Sequence, residues 1–93
     1  MLEIKRESVY IVKESVTIKN ILGETFFVLD SENGKQYNLT EMEYKIVDGI
    51  SKGLKFGEIV DTIAKEYNAS YKQIESDLRE YFASLIDEGL IFA

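Results

Sequence analysis

Cysteine, histidine, proline and tryptophan are all missing from these 93 residues. Without cysteine there is no disulfide framework, no thiolate metal site and no cysteine nucleophile. Without histidine the commonest general base and transition-metal ligand is gone. Basic residues are also in short supply: eleven Lys and Arg against seventeen Asp and Glu leave a net charge of −6. Such a surface repels nucleic acid and suits a neutral or basic partner. No apolar run approaches the length of a membrane span, and the stretch Met1 to Arg6 has no apolar core like that of a signal peptide. A cytoplasmic location is the expectation.

What is present suffices for a core. Apolar residues make up 45% of the chain, and a chain of this length buries about 60–65% of its unfolded surface. One domain over residues 1–93 is expected, with 1–15 as a poorly defined N-terminal segment. β-Branched residues predict a strand near 16–20 and another near 9–12, although Lys13-Glu14-Ser15 interrupts the alternation. Leu22-Gly23-Glu24 reads as the turn into a strand over 25–30. Asn33-Gly34 then separates two extended runs, and that dipeptide tolerates the positive φ of a tight hairpin turn. With Asn33 and Gly34 as the central turn residues, Glu32 faces Lys35, Asp30 faces Tyr37 and Val28 faces Leu39. Phe26, Val28, Tyr37 and Leu39 share one face of this hairpin, and Phe27, Leu29, Gln36 and Asn38 the other.

The second hairpin strand runs straight into a helix. Thr40 and Glu43 have capping-box spacing, and Leu39 and Tyr44 occupy the matching staple positions. This helix is expected over Glu41–Lys52, with Met42, Ile46, Val47 and Ile50 as its apolar stripe. Gly49 weakens it by about 1 kcal/mol relative to Ala, and Gly53 is its stop. A second helix, from Phe56 to Tyr67, shows Ile59, Val60, Ile63 and Ala64 at helical spacing but no strong N-terminal cap. In the third, Ser70 and Gln73 have capping-box spacing, and Ile74, Leu78, Phe82 and Leu85 form the stripe. Tyr71, Tyr81 and Ile86 widen that arc. Gly89 ends the helix, with Leu90 placed to touch Leu85 as in a Schellman motif. The whole predicts an α+β, winged-helix-turn-helix-like fold: a three-stranded antiparallel sheet followed by three helices.

Each candidate chemistry has a plainer competitor. As a DNA-recognition helix, the third carries only Lys72 and Arg79 against Glu75, Asp77, Glu80, Asp87 and Glu88, so phosphates would be repelled. The carboxylates sit mostly on polar helix faces, where a solvated surface explains them. Gly49, Gly53 and Gly57 straddle a helix end and do not follow a strand as a phosphate loop would. Asp30, Glu32 and Asn33 lack the rest of a calcium loop. Neither an enzyme, a metal nor a cofactor is expected. The positive feature is the second hairpin strand, whose outer backbone groups are blunted only by Lys35. If the third helix packs beside that edge, Ile74, Leu78 and Tyr81 become the apolar wall of a groove to which an extended peptide adds as a strand. Alternatively, the N-terminal segment covers the edge, or Tyr81 fills the core. An open edge would also permit edge-to-edge dimerisation.

From Phe27 onward the chain resembles the PqqD-like family, the precursor-peptide recognition elements of ribosomally made, modified peptides. The resemblance rests on Val28-Leu29-Asp30, on Gly34 followed by Tyr37, Leu39 and Thr40, and on an aliphatic first helix closing at Gly53. It continues through Phe56, Ile59 and Val60, then Asp77-Leu78, and finally Leu85 with Gly89-Leu90-Ile91. It implies a leader peptide added as a further strand between the third strand and the third helix. The implied walls are Lys35, Gln36, Tyr37 and Asn38 on the strand, and Ile74, Asp77, Leu78 and Tyr81 on the helix. Asp77 falls at the family's acidic position and would pair with a basic leader residue. The chain is most similar to the stand-alone leader-binding members of lasso-peptide pathways, which implies a leader peptidase and a cyclase as partners, with no nucleic acid and no membrane. Other implied roles are a peptide chaperone for a radical enzyme in quinone-cofactor biosynthesis and, outside the family, a winged-helix transcriptional regulator or a structural subunit. Thr40, where the family has an Asn-like cap, and aliphatic Ile46 and Val47, where an aromatic is common, depart from its pattern. The first twenty residues match none of it.

Overall fold

The alternating runs of the first forty residues form an antiparallel meander, in a computed structural model that describes residues 3–93. Met1 and Leu2, the start of the stretch read for a signal peptide, lie outside the described residues. Strands β2 (Val16–Ile21), β3 (Thr25–Asp30) and β4 (Lys35–Leu39) hydrogen-bond in that order. Three helices follow, α1 (Glu41–Ser51), α2 (Phe56–Glu66) and α3 (Tyr71–Asp87). The expected α+β architecture is therefore present.

The β3–β4 turn is wider than expected. Asp30 faces Lys35, Val28 faces Tyr37 and Phe26 faces Leu39, so Ser31 to Gly34 form a four-residue loop. The cause is Asp30, only 2% exposed. Its carboxylate accepts from Ser15 Oγ at 2.7 Å, Lys13 Nζ at 2.9 Å and the Glu32 backbone N–H at 3.0 Å. The last bond curls the chain before Asn33 is reached, and Gly34, at φ +72°, closes the loop onto the Asp30 carbonyl. Glu32 pairs with Lys13 at 3.0 Å instead of Lys35. Because the register differs by two residues, every side chain keeps its expected face.

The β2–β3 turn is the tighter one. Leu22 and Gly23 both have positive φ, 57° and 69°, and Glu24 N–H bonds the Ile21 carbonyl at 3.0 Å. This is the type I′ pattern that Asn-Gly favours. A leucine there is strained and, at 90% exposure, gains nothing from burial. Leu22→Asn is expected to raise stability by about 0.5–1 kcal/mol, read as a higher urea midpoint at unchanged slope.

Thr40 and Glu43 make the reciprocal capping box, and Tyr44 stacks on Phe26 at 4.9 Å. Helix α1 packs beneath the sheet, α2 on α1, and α3 on α2. Gly49 has a packing role, since a Cβ there would lie 3.2 Å from Ile59 Cγ1. Ile74, Leu78, Phe82 and Leu85 are buried as expected, each contributing about 1.5–3 kcal/mol of burial. All three helices end in Schellman pairs, with Gly53, Asn68 and Gly89 at C′. The Ser70–Gln73 box does not form; Gln73 Nε2 bonds Asp77 Oδ1 at 2.9 Å instead.

Residues 3–15 are more defined than their sequence suggests. Ile4 and Tyr10 are buried. The carbonyls of Ser8 and Arg6 accept the first α2 N–H groups, Phe56 and Gly57, each at 2.8 Å. Locally, Glu58 Oε1 accepts the Lys55 N–H at 2.8 Å, and distant backbone supplies the acceptors for the next two donors. Strand β1 (Ile11–Val12) pairs with a terminal strand β5 (Ile91–Phe92), which the sequence reading did not anticipate.

Candidate functional site

Strand β4 hydrogen-bonds to β3 along one edge only; among the described residues its other edge has no strand partner. The N-terminal segment does not cover it, because β1 is engaged with β5. Beside the bare edge lies a recess of about 130 Å3 between β4 and α3. Tyr37, Asn38 and Leu39 form the strand wall, and Tyr81, Ser84, Leu85 and Glu88 the helix wall, with Glu43 and Leu90 completing the lining. Ser84 and Leu85 lie three and four residues after Tyr81, and Glu88 four and three after them, so the set shares one stripe of α3. The capping box fixes where β4 stops, and the Schellman turn at Gly89 returns Leu90 to the recess.

Glu43 and Glu88 are the only charged residues of the lining. The Tyr37 hydroxyl donates to Glu88 Oε2 at 3.3 Å, a strut between strand and helix. Burial, then the Glu88 carboxylate, raises the Tyr37 pKa above its ordinary value. The Tyr81 hydroxyl is buried without a hydrogen-bond partner. Burial, with Glu43 adding to it, holds Tyr81 firmly protonated. A buried hydroxyl without a partner, in a residue that lines a recess beside an open edge, carries an uncompensated desolvation cost.

The expected site residues fall into three sets. Tyr37, Asn38 and Tyr81 line the recess. Lys35 and Gln36 are exposed on the same strand, and Asp77 is exposed one turn above Tyr81 on the same α3 stripe. Ile74 and Leu78, 5% and 1% exposed, lie within the core. Leu39, Glu43, Ser84, Leu85, Glu88 and Leu90 were not anticipated. Continuing the helical step past Tyr81 would have found Ser84, Leu85 and Glu88. No grouping of three or more acidic side chains among the described residues is arranged to hold a metal ion, and no helix is long and apolar enough to cross a membrane.

Fold and edge together define a winged-helix-like α+β class in which one edge of a strand lies open beside the last helix. Residues 25–91 match the family model for coenzyme PQQ synthesis protein D (PqqD), and the chain belongs to that family. Among solved structures it is similar to TbiB1 in complex with the TbiA(beta) leader peptide, at 25% identity and TM-score 0.80, covering 89% of this chain and 98% of that one. It is also similar to lasso peptide synthetase B1 complexed with the leader peptide, at 16% identity and TM-score 0.81, covering 92% and 100%. This second likeness speaks for the fold alone. No curated protein matches the chain.

Proposed function

We propose that this chain is a non-catalytic adaptor. It binds the leader region of a ribosomally made precursor by strand addition along β4, and delivers it to a leader peptidase and a cyclase of a lasso-peptide pathway in the cytoplasm. The observation that carries this reading is the bare β4 edge against the α3 recess, in a chain 25% identical to a protein solved with its leader bound. Main-chain bonds to β4 supply affinity and side chains entering the recess supply selectivity. Each backbone bond contributes about 0.5–1.5 kcal/mol, so binding needs several bonds together with buried side-chain anchors in the recess. No cofactor takes part.

The family description itself favours a second reading, a peptide chaperone for a radical enzyme in quinone-cofactor biosynthesis. A DNA-binding role is weaker than the sequence suggested. Of the two basic residues on α3, Arg79 is engaged by Glu75 at 3.1 Å and by the Ile4 carbonyl, which leaves Lys72. Titrating isotope-labelled chain with a lasso-precursor leader and, separately, with a quinone-cofactor precursor separates the two family readings. Amide shifts across residues 35–39 and 81–88 are expected with the lasso leader. Shifts confined to other elements would remove the groove from consideration.

A further inference from the structure

The β1–β5 ribbon has an unusual outer face. With residues 9–10, which lead into β1, its inner side buries Tyr10 and Ile91, at 5% and 2% exposure, yet the outer side is apolar too: Val9 at 45%, Ile11 at 57% and Phe92 at 49%. An antiparallel pair with one solvated face ordinarily alternates apolar inside with polar outside. Ile11 and Phe92 are direct cross-strand partners, and Val9, Phe92 and half-buried Ile86 line one recess of about 330 Å3. The patch is therefore continuous, and neither the core nor the β4 groove accounts for it.

Its surroundings specify what could cover it. Glu3 lines the same recess, and Glu14 and Glu32 lie beside Phe92 in the adjoining one. Lys13 is held between Asp30 and Glu32, at 2.9 and 3.0 Å, a trio that keeps one net negative charge. Lys55, the bridge partner of Val9, adds a cation at the other end, and on balance the rim is acidic at Glu3, Glu14 and this trio. An apolar centre with an acidic rim suits a protein surface whose apolar patch is ringed by Lys and Arg. A second copy would bring the same acidic rim against itself in a two-fold contact, and an anionic lipid surface would repel it. Ile86 lies about 100° around α3 from Leu85 and about 140–160° from Tyr81, Ser84 and Glu88, so the patch and the groove are centred on different faces of that helix.

We propose that the Val9–Ile11–Phe92 face is the docking surface for the processing enzyme that receives the leader, through a basic-rimmed apolar patch on that enzyme. The inference rests on the adaptor reading. Two simultaneously usable surfaces are what an adaptor requires: one holds the peptide while the other raises its effective concentration at the enzyme.

The test measures two bindings on the full chain: a labelled leader peptide, and the purified leader peptidase of the same pathway. Ile11→Thr/Phe92→Ser, at exposed positions, is expected to weaken peptidase binding about tenfold or more, as loss of a central apolar anchor does, while leader affinity stays within about twofold. Raising NaCl from about 50 mM to about 300 mM should weaken the wild-type peptidase complex several-fold. Glu14→Lys should weaken it while leaving the circular dichroism spectrum unchanged. A folded double variant that binds the peptidase like wild type overturns the proposal. So does a wild-type chain that takes up the leader but shows no peptidase binding, or a patch whose loss abolishes only self-association in sedimentation. Failure of the leader to bind wild type is a separate result, and it defeats the adaptor reading itself.

Discussion

Ser84→Trp is expected to weaken leader binding by about ten- to a hundredfold while leaving thermal stability nearly unchanged. Ser84 is exposed and lies on the wall of the β4–α3 recess. A recess of about 130 Å3 has little room to spare, and an indole lying across it takes the space a leader side chain needs. The substitution is on a helix surface, where serine and tryptophan have similar propensity. Isothermal titration with a leader peptide, beside a melting curve, reads both halves of the expectation. Tyr81→Ala should also weaken binding, by about tenfold, since it removes the wall and its unpartnered hydroxyl together. A leader methylated at alternate backbone nitrogens should bind worse than its unmethylated parent, because strand addition depends on main-chain donors. Undiminished binding by Ser84→Trp would move the leader out of this recess. Leu78→Asp is a poor probe by comparison: at 1% exposure its carboxylate would enter the core and unfold the chain.

Local rules carried the architecture. The capping box at Thr40, the stripe on α3 and the stop at Gly89 each depend on residues within one or two helical turns, and each is present. What the sequence concealed depends on contacts between distant residues. The β5 strand is two residues long, too short for any alternation to show. Two acceptors of the α2 N-terminus are the backbone carbonyls of Ser8 and Arg6, which no side-chain motif announces. The Ser70–Gln73 box had the right spacing, but Gln73 is drawn to Asp77 one turn on.

The candidate site follows the same division. Tyr37, Asn38 and Tyr81 were legible because an open strand and an amphipathic helix each declare their own faces. The depth of each residue along α3 was not, because it depends on where β4 crosses that helix. Ile74 and Leu78 share the helix stripe with Tyr81 and Leu85 but do not line the recess, and periodicity cannot tell which part of a buried stripe meets β4. Glu43 escaped notice because its capping role already explained it.

Asp30→Ala is expected to lower the thermal midpoint by about 10 °C or more. It removes the acceptor shared by Ser15 Oγ, Lys13 Nζ and the Glu32 N–H, and with it the link between the hairpin loop and the Lys13–Ser15 connection. Asp30→Asn keeps one acceptor oxygen and should lose less. The Ser15 hydroxyl first, and the Lys13 ammonium next, hold the Asp30 carboxyl below its ordinary pKa, against the opposing effect of burial. A depressed folded-state pKa contributes stability that is complete above the unfolded value, about 3.9, and is lost as pH falls through the folded one. Wild type should therefore lose stability more steeply than Asp30→Asn below about pH 4; coincident acid profiles would show that the carboxylate is not held as described. The same side chain also chooses the register. Without the curl it imposes at Glu32, Asn33-Gly34 is free to act as a two-residue turn, which brings Val28 opposite Leu39 in place of Tyr37. That slip keeps every strand side chain on its face, but it draws on the start of α1 at Thr40 and moves Tyr37 and Leu39 along the groove by two residues. Cross-strand contacts from Val28 to Leu39, read by nuclear Overhauser effects in Asp30→Ala at a temperature where it remains folded, would reveal the slipped hairpin. Leader affinity should fall with its population, although Asp30 is not among the residues lining the recess.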